Sequence, residues 1–156
     1  MVKLNEAVND FELSGTGGML KLSALRGKPV VLYFYPKDNT PGCTTEAQQF
    51  RDLDAEFKRL GCPVYGISRD SIKSHENFKA KLGLPFELLS DEAETACQQF
   101  GTIKLKNMYG KQVRGIERST FVIDAEGNLR AEWRGVKVPD HAQKVLDFVR
   151  TLLETP

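Results

Sequence analysis

The sequence predicts a mixed α/β sheet with helices on both faces. Three observations carry this. The stretch "PVVLYFYP" (29–36) is an unbroken apolar, β-branched and aromatic run, the pattern of a central strand covered on both faces. Apolar residues then recur at helical spacing from Pro41 to about Leu60. Strand and helix patterns go on alternating until a hairpin and a last helix close the chain.

Each element has a local reason. "DFELSGTGGMLKLSAL" holds two short alternating runs around Gly15, Gly17 and Gly18, which predicts a small N-terminal hairpin. Ala47, Phe50, Leu53, Phe57 and Leu60 form the apolar stripe of the first helix. Thr40 stands at its N-cap, Pro41 at its first position and Gly61 at its stop. "PVYGIS" (63–68) is the next strand, followed by a helix from about Ser71 to Leu82 ended by Gly83. "FELLS" (86–90) is a short strand, and Asp91 to Phe100 a helix with Ala93, Ala96, Cys97 and Phe100 on one side. "RSTFVID" (118–124), the turn "AEGN" and "LRAEWRG" make a hairpin. Pro139 to Leu153 is the closing helix, its stripe Ala142, Val145, Leu146, Val149 and Leu152.

The 156 residues suggest a single domain over 1–156, with 40% hydrophobic and 28% charged residues, enough for one core without disulfide staples. The formal net charge of +1 asks for neither nucleic acid nor an acidic partner. No window approaches the roughly 18 apolar residues of a membrane span, and the N-terminus lacks a signal-peptide run. The expected compartment is the cytoplasm. Three cysteines without a CxxC are too few and too scattered for a zinc site or a disulfide framework. In a reducing compartment each is either a small buried hydrophobe or a reactive thiol.

Cys43 stands at the first turn of a helix that follows a buried strand. Helix N-termini present unpaired N–H groups and a positive dipole end, so a thiolate there is favoured over a thiol. Pro41 and Gly42 suit the sharp entry turn. On position alone, an inert residue at a strand–helix join remains an alternative.

The wider motif changes that balance. "PKDNTPGCTTE" contains Pro36, Thr40 and Cys43 in the spacing P-x-x-x-T-x-x-C, which resembles the peroxiredoxin active-site motif. "FYPKDNTPGCTTEAQQFRDL", "GISRDSIKSHENFKAKLGLPFELLSD", "KNMYGKQVRGIERSTFVID" and "EGNLRAEWRGVKVPDHAQKVL" are together similar to the peroxiredoxin Q branch, or bacterioferritin comigratory proteins. The resemblance covers nearly the whole chain. It implies a thioredoxin-like fold and reduction of hydrogen peroxide and alkyl hydroperoxides without a cofactor or metal. It implies that Cys43 is the peroxidatic nucleophile, that Thr40 positions the thiolate and the peroxide oxygens, and that Pro36 shields the thiolate from water. Arg118 matches the family arginine that favours the thiolate and polarises the O–O bond. A fixed cation aimed at the leaving oxygen would stabilise that transition state. Glu46, one turn after Cys43, complements the helix N-terminus, with holding the arginine as its other reading.

The sequence departs from the family at the second thiol. Family members carry a resolving cysteine five residues after the first, here Gln48, or in the middle helix, here Lys79. The first helix runs about 26 Å from Cys43 to Leu60, which puts Cys62 at its wrong end for a disulfide. Cys97 is either a core residue of its helix or a resolving thiol reached by local unfolding or between two molecules. The expectation is a one-cysteine cycle recycled by thioredoxin, glutaredoxin or a small thiol. A two-cysteine cycle through Cys97 or an intermolecular disulfide is the alternative. The reduced protein is expected to be a monomer, with a disulfide-linked dimer as a variant on oxidation. A peroxide sensor that relays oxidation to a partner protein uses the same nucleophile. A thioredoxin-like disulfide reductase needs a CxxC that "CTTE" lacks.

The remaining candidates read as structural. His75 and His141 are expected on the surface, without metal-ligand spacing. Lys104, Lys106, Lys111 and Arg114 read as a solvated loop face. Tyr35, Phe78, Met108 and Tyr109 either rim the pocket or pack, and Trp133 reads as core.

Overall fold

The computed structural model describes residues 1–154, apart from the side chain of Met108. A seven-stranded mixed sheet runs in the order β2-β1-β5-β4-β3-β8-β9. Its strands are β1 (Glu12–Gly15), β2 (Gly18–Lys21), β3 (Val30–Phe34), β4 (Val64–Ser68), β5 (Glu87–Ser90), β8 (Ser119–Ile123) and β9 (Leu129–Arg134). Strands β3, β4 and β5 are parallel, joined by α1 (Pro41–Arg59) and α2 (Ile72–Leu82). The N-terminal hairpin is present and joins the sheet by antiparallel pairing of β1 with β5. The hairpin β8–β9 packs antiparallel on β3, and α4 (His141–Glu154) closes the chain.

Strand β3 is buried at all five positions, as its unbroken apolar run requires. Its alternate residues divide the core. Val31, Tyr33 and Tyr35 point into one cluster with Cys43, Ala47, Phe50 and Phe57 of α1, Phe78 of α2, and Ala142, Val145, Leu146 and Val149 of α4. Val30, Leu32 and Phe34 point into a second cluster with Phe11, Ala96, Cys97, Phe100 and Phe121. Helices α1, α2 and α4 thus cover one face, and the short α3 (Thr95–Gln99) covers part of the other.

Helix ends follow the residue chemistry. Gly61 (φ +66°) and Gly83 (φ +62°) take the left-handed conformation that stops α1 and α2. The Ser71 hydroxyl accepts from Ser74 N and caps α2.

Three expectations need correction. The helix read from Asp91 is confined to α3, because the Asp91 carboxylate accepts from Ala96 N and Cys97 N (3.3 and 2.7 Å) and holds 91–94 as a turn. The basic run read as a loop is a two-stranded ribbon, β6 (Ile103–Met108) and β7 (Lys111–Ile116), solvated as expected. Both histidines are buried rather than superficial. His75 is held by Asp38, and the His141 Nε2 lies 2.8 Å from the Thr120 hydroxyl. Burial pushes His141 down to about 4, with the charges of Lys144 and Arg118 adding to the effect.

Tyr35 and Phe78 are core residues, whereas Tyr109 is fully exposed at the β6–β7 turn. The Met108 side chain lies outside the described residues. Trp133 packs on the core margin, edge-on to His141 and Phe148.

Candidate active site

The site forms where β3 ends and α1 begins. Pro36 leaves the strand half-buried, and the segment 36–40 turns through Asn39 (φ +63°) into the first turn of α1. Thr40 occupies the N-cap position, and its carbonyl accepts from Thr44 N at 2.9 Å. Its hydroxyl makes no cap. It donates to the Lys37 carbonyl at 2.8 Å, which leaves the oxygen lone pairs free to accept. Cys43 is the third residue of α1 and is buried against Tyr33 and Tyr35.

Arg118 arrives from the residue before β8. Its Nη2 lies 3.5 Å from Cys43 Sγ, and its Nη1 donates to Glu46 Oε1 at 2.7 Å. One planar guanidinium therefore bridges the thiol and the carboxylate through two separate nitrogens in a fixed fork, where a lysine would offer one compact ammonium. Gly42 makes room for it: a Cβ there would lie 3.0 Å from Arg118 Nη2.

Glu46 is fully buried and pairs with Arg118 as well as standing in the first turns of α1. Burial pushes its carboxyl up to about 7, and the Arg118 charge and hydrogen bond offset only part of that. Glu46 Oε2 and the nearby Tyr33 hydroxyl are buried without a hydrogen-bond partner among the described residues.

The structure thus brings Cys43, Arg118 and Glu46 into contact, with Pro36 and Thr40 on the adjoining segment. It leaves the other thiols apart. Cys62 follows the far end of α1, and burial pushes its thiol up to about 12. Cys97 is fully buried on the opposite face of the sheet, where it lines a cleft of about 440 Å³ with residues of β6 and β7. Burial and then Asp91 raise its thiol well above the ordinary range. Gln48 is half-buried on α1, and Lys79 is engaged with Glu87 Oε1 at 2.7 Å. Among the described residues, Asp38, Asp70 and His75 are close enough to resemble a metal cluster, but hydrogen bonds already link them.

The model of the AhpC/TSA family matches residues 4–132. The chain is a peroxiredoxin of the AhpC/TSA family. It is 52% identical to peroxiredoxin Bcp of Xanthomonas campestris over 147 residues, 94% of this chain and 92% of that one. It is 47% identical to peroxiredoxin Bcp of Bacillus subtilis over 154 residues, 98% of each. Among solved structures, it resembles Xanthomonas campestris bacterioferritin comigratory protein, studied for alkyl peroxide reduction. That match has a TM-score of 0.89 and 50% identity, covering 97% of this chain and 98% of that one. A cysteine-to-serine variant of Xylella fastidiosa peroxiredoxin Q superposes with a TM-score of 0.93 at 41% identity over 98% of each chain. The peroxiredoxin fold expected from the sequence is therefore the fold observed, and it is thioredoxin-like.

Sequence reasoning named Cys43, Thr40, Pro36, Arg118 and Glu46 as candidates, and the structure gathers them around the start of α1. It missed Gly42 as the slot for Arg118, and it missed Asp38 and His75 beneath the 36–40 segment. The first signal was present, since a glycine at the second position of a helix needs a reason. The other two lie 37 residues apart and meet only in three dimensions.

Proposed function

We propose that this peroxiredoxin, a thiol-dependent peroxidase, works through Cys43 by a one-cysteine cycle. The observation that carries the reading is the Arg118 guanidinium, fixed by buried Glu46 and placed 3.5 Å from Cys43 Sγ. The Cys43 thiolate attacks one oxygen of the hydroperoxide. An S–O bond forms, the O–O bond breaks, and the electron pair leaves on the alkoxide or hydroxide, which takes up a proton. Arg118 stabilises the charge that grows on the leaving oxygen. With its proton committed to Lys37, the Thr40 hydroxyl accepts from the peroxide O–H. Pro36 limits water access. The product is a Cys43 sulfenic acid.

Recycling then comes from outside. An external thiol attacks the sulfenic acid, releasing water and forming a mixed disulfide, and a second thiol frees Cys43. The burial of Cys97 on the other face of the sheet and of Cys62 beyond the end of α1 supports this over internal pairing. Thioredoxin, glutaredoxin and small thiols fit as reductants. The unpaired thiols suit a reducing compartment, so the cytoplasm is the proposed location and the reduced protein a monomer.

Intact mass after one equivalent of peroxide tests the cycle. The expected product carries one added oxygen, trapped on Cys43 by a sulfenic acid reagent. Loss of two hydrogens, or a covalent dimer, would overturn it in favour of Cys97 or Cys62. Turnover with excess reductant separates an enzyme from a sensor that reacts once and waits for its partner.

A further inference from the structure

Asp38 lies midway along the segment that carries Pro36 and Thr40, and it is buried. Both carboxylate oxygens and its backbone N–H are engaged. Oδ1 accepts from the Tyr35 hydroxyl at 2.6 Å, and Oδ2 accepts from the Ser74 hydroxyl at 2.9 Å. Its backbone N–H donates to Asp70 Oδ2 at 2.9 Å, itself fixed by the Ser68 hydroxyl at 2.6 Å. The remaining contact is His75 Nδ1 to Asp38 Oδ2 at 2.8 Å, from a fully buried ring on α2.

The ring's other nitrogen is engaged too: Nε2 lies 3.0 Å from the Leu89 carbonyl. The Tyr35 hydroxyl lies 3.4 Å from Nδ1. The pair is therefore a buried link held at both ring nitrogens. It ties β5 and α2 to the middle of the segment 36–40, where Asn39 holds a left-handed conformation (φ +63°).

We propose that His75 is a positioning residue for peroxide reduction: through Asp38 it fixes the segment that places Pro36 and Thr40 beside Cys43. His75 touches neither Cys43 nor Arg118 directly in the hydrogen bonds it makes. This rests on the reading of Cys43 as the peroxidatic thiol. The segment enters α1 directly, so a small displacement at Asp38 moves the Thr40 hydroxyl relative to the attacking sulfur, and misplacement near 1 Å can slow a positioned reaction by up to about a hundredfold.

The test compares two substitutions that each keep one half of the imidazole. His75→Gln keeps a donor in place of Nε2 and loses the link to Asp38. His75→Asn keeps a donor in place of Nδ1 and loses the link to Leu89. Rapid-quench mass spectrometry follows Cys43 oxidation by hydrogen peroxide, and alkylation by iodoacetamide serves as a reaction that needs no placed peroxide.

The expected result is about a tenfold loss of the peroxide rate in His75→Gln, alkylation unchanged, and most of the rate recovered in His75→Asn. Equal rates in His75→Gln and wild type, or equal losses in both variants in step with their melting temperatures, would overturn the proposal. Ser74→Ala removes a second Asp38 link at a half-buried position and gives a reading even where the histidine variants do not fold. Where the histidine variants fail to fold, a selective, smaller loss of the peroxide rate supports the proposal and a wild-type rate overturns it; where they fold, their rates decide. If wild-type Cys43 is not oxidised at all, the peroxidatic reading falls first. If it is oxidised and the variants match it, only the role of His75 falls.

Discussion

Half-buried Arg118 and buried Glu46 form an ion pair at 2.7 Å, and the guanidinium edge that Glu46 leaves free faces Cys43. The carboxylate orients the arginine rather than merely neutralising it. Replacing Arg118 by Met is expected to lower the rate of Cys43 oxidation roughly a hundredfold, the scale of losing one fixed donor at a developing oxyanion. Arg118→Lys should recover only part of this, because a flexible, compact ammonium lacks the rigid fork that sets one nitrogen at Glu46 and another at Cys43. Stopped-flow oxidation by hydrogen peroxide checks both, and equal rates in Arg118→Lys and wild type would remove the bridging argument.

Gly42 separates stability from activity. Its replacement by Ala should raise helix stability by up to about 1 kcal/mol. The new methyl would sit 3.0 Å from Arg118 Nη2 and push the guanidinium away from the sulfur. The expected variant melts at the same or a higher temperature than wild type and reacts more slowly with peroxide. A faster variant would show that Arg118 has room to spare.

Two buried groups set opposing pH dependences. Glu46 is raised from 4.5 to about 7, so its contribution to stability is fully present below pH 4.5 and is lost as pH rises through about 7. His141 is lowered from 6.5 to about 4, so its contribution is present above pH 6.5 and is lost as pH falls through about 4. The two slopes oppose each other between about pH 4.5 and 6.5. Denaturant unfolding from pH 4 to 8 should show a nearly flat wild type in this window. Glu46→Gln should gain stability with rising pH, and His141→Asn should lose it. Parallel profiles for all three proteins would contradict the assignment.

The three cysteines should divide sharply. Cys43→Ser is expected to abolish turnover, while Cys62→Ser and Cys97→Ser retain most of it, measured with thioredoxin or a small thiol as reductant. If Cys97→Ser forms the sulfenic acid but cannot be recycled by thioredoxin, the one-cysteine cycle is wrong.

Much of the fold was legible because its elements carry strong local patterns. The β3 run, the Pro41 and Gly61 boundaries of α1 and the Ser71 cap of α2 all express backbone chemistry within a few residues. The β6–β7 ribbon was missed, although "IKLKNMYGKQVRGI" alternates, because Lys and Leu side chains are both exposed there and no buried face marks it. His75 and His141 were misread because their flanks are polar. Their burial is decided by Asp38, Leu89 and Thr120, each distant in sequence. Cys43 and Thr40 were named from the motif and Arg118 from the family resemblance of its flank, whereas the contact between Arg118 and Glu46 needed the fold to bring residues 72 positions apart together.

The placement of Cys43 on α1 and Cys97 on α3, against opposite faces of one sheet, has a consequence for how long the oxidised protein persists. On a one-cysteine cycle there is no internal clock. A molecule that has met peroxide stays oxidised until another thiol collides with it, so its lifetime in that state measures the supply of reductant around it. The same protein population would then register two concentrations at once, peroxide by how fast it is oxidised and available thiol by how fast it recovers.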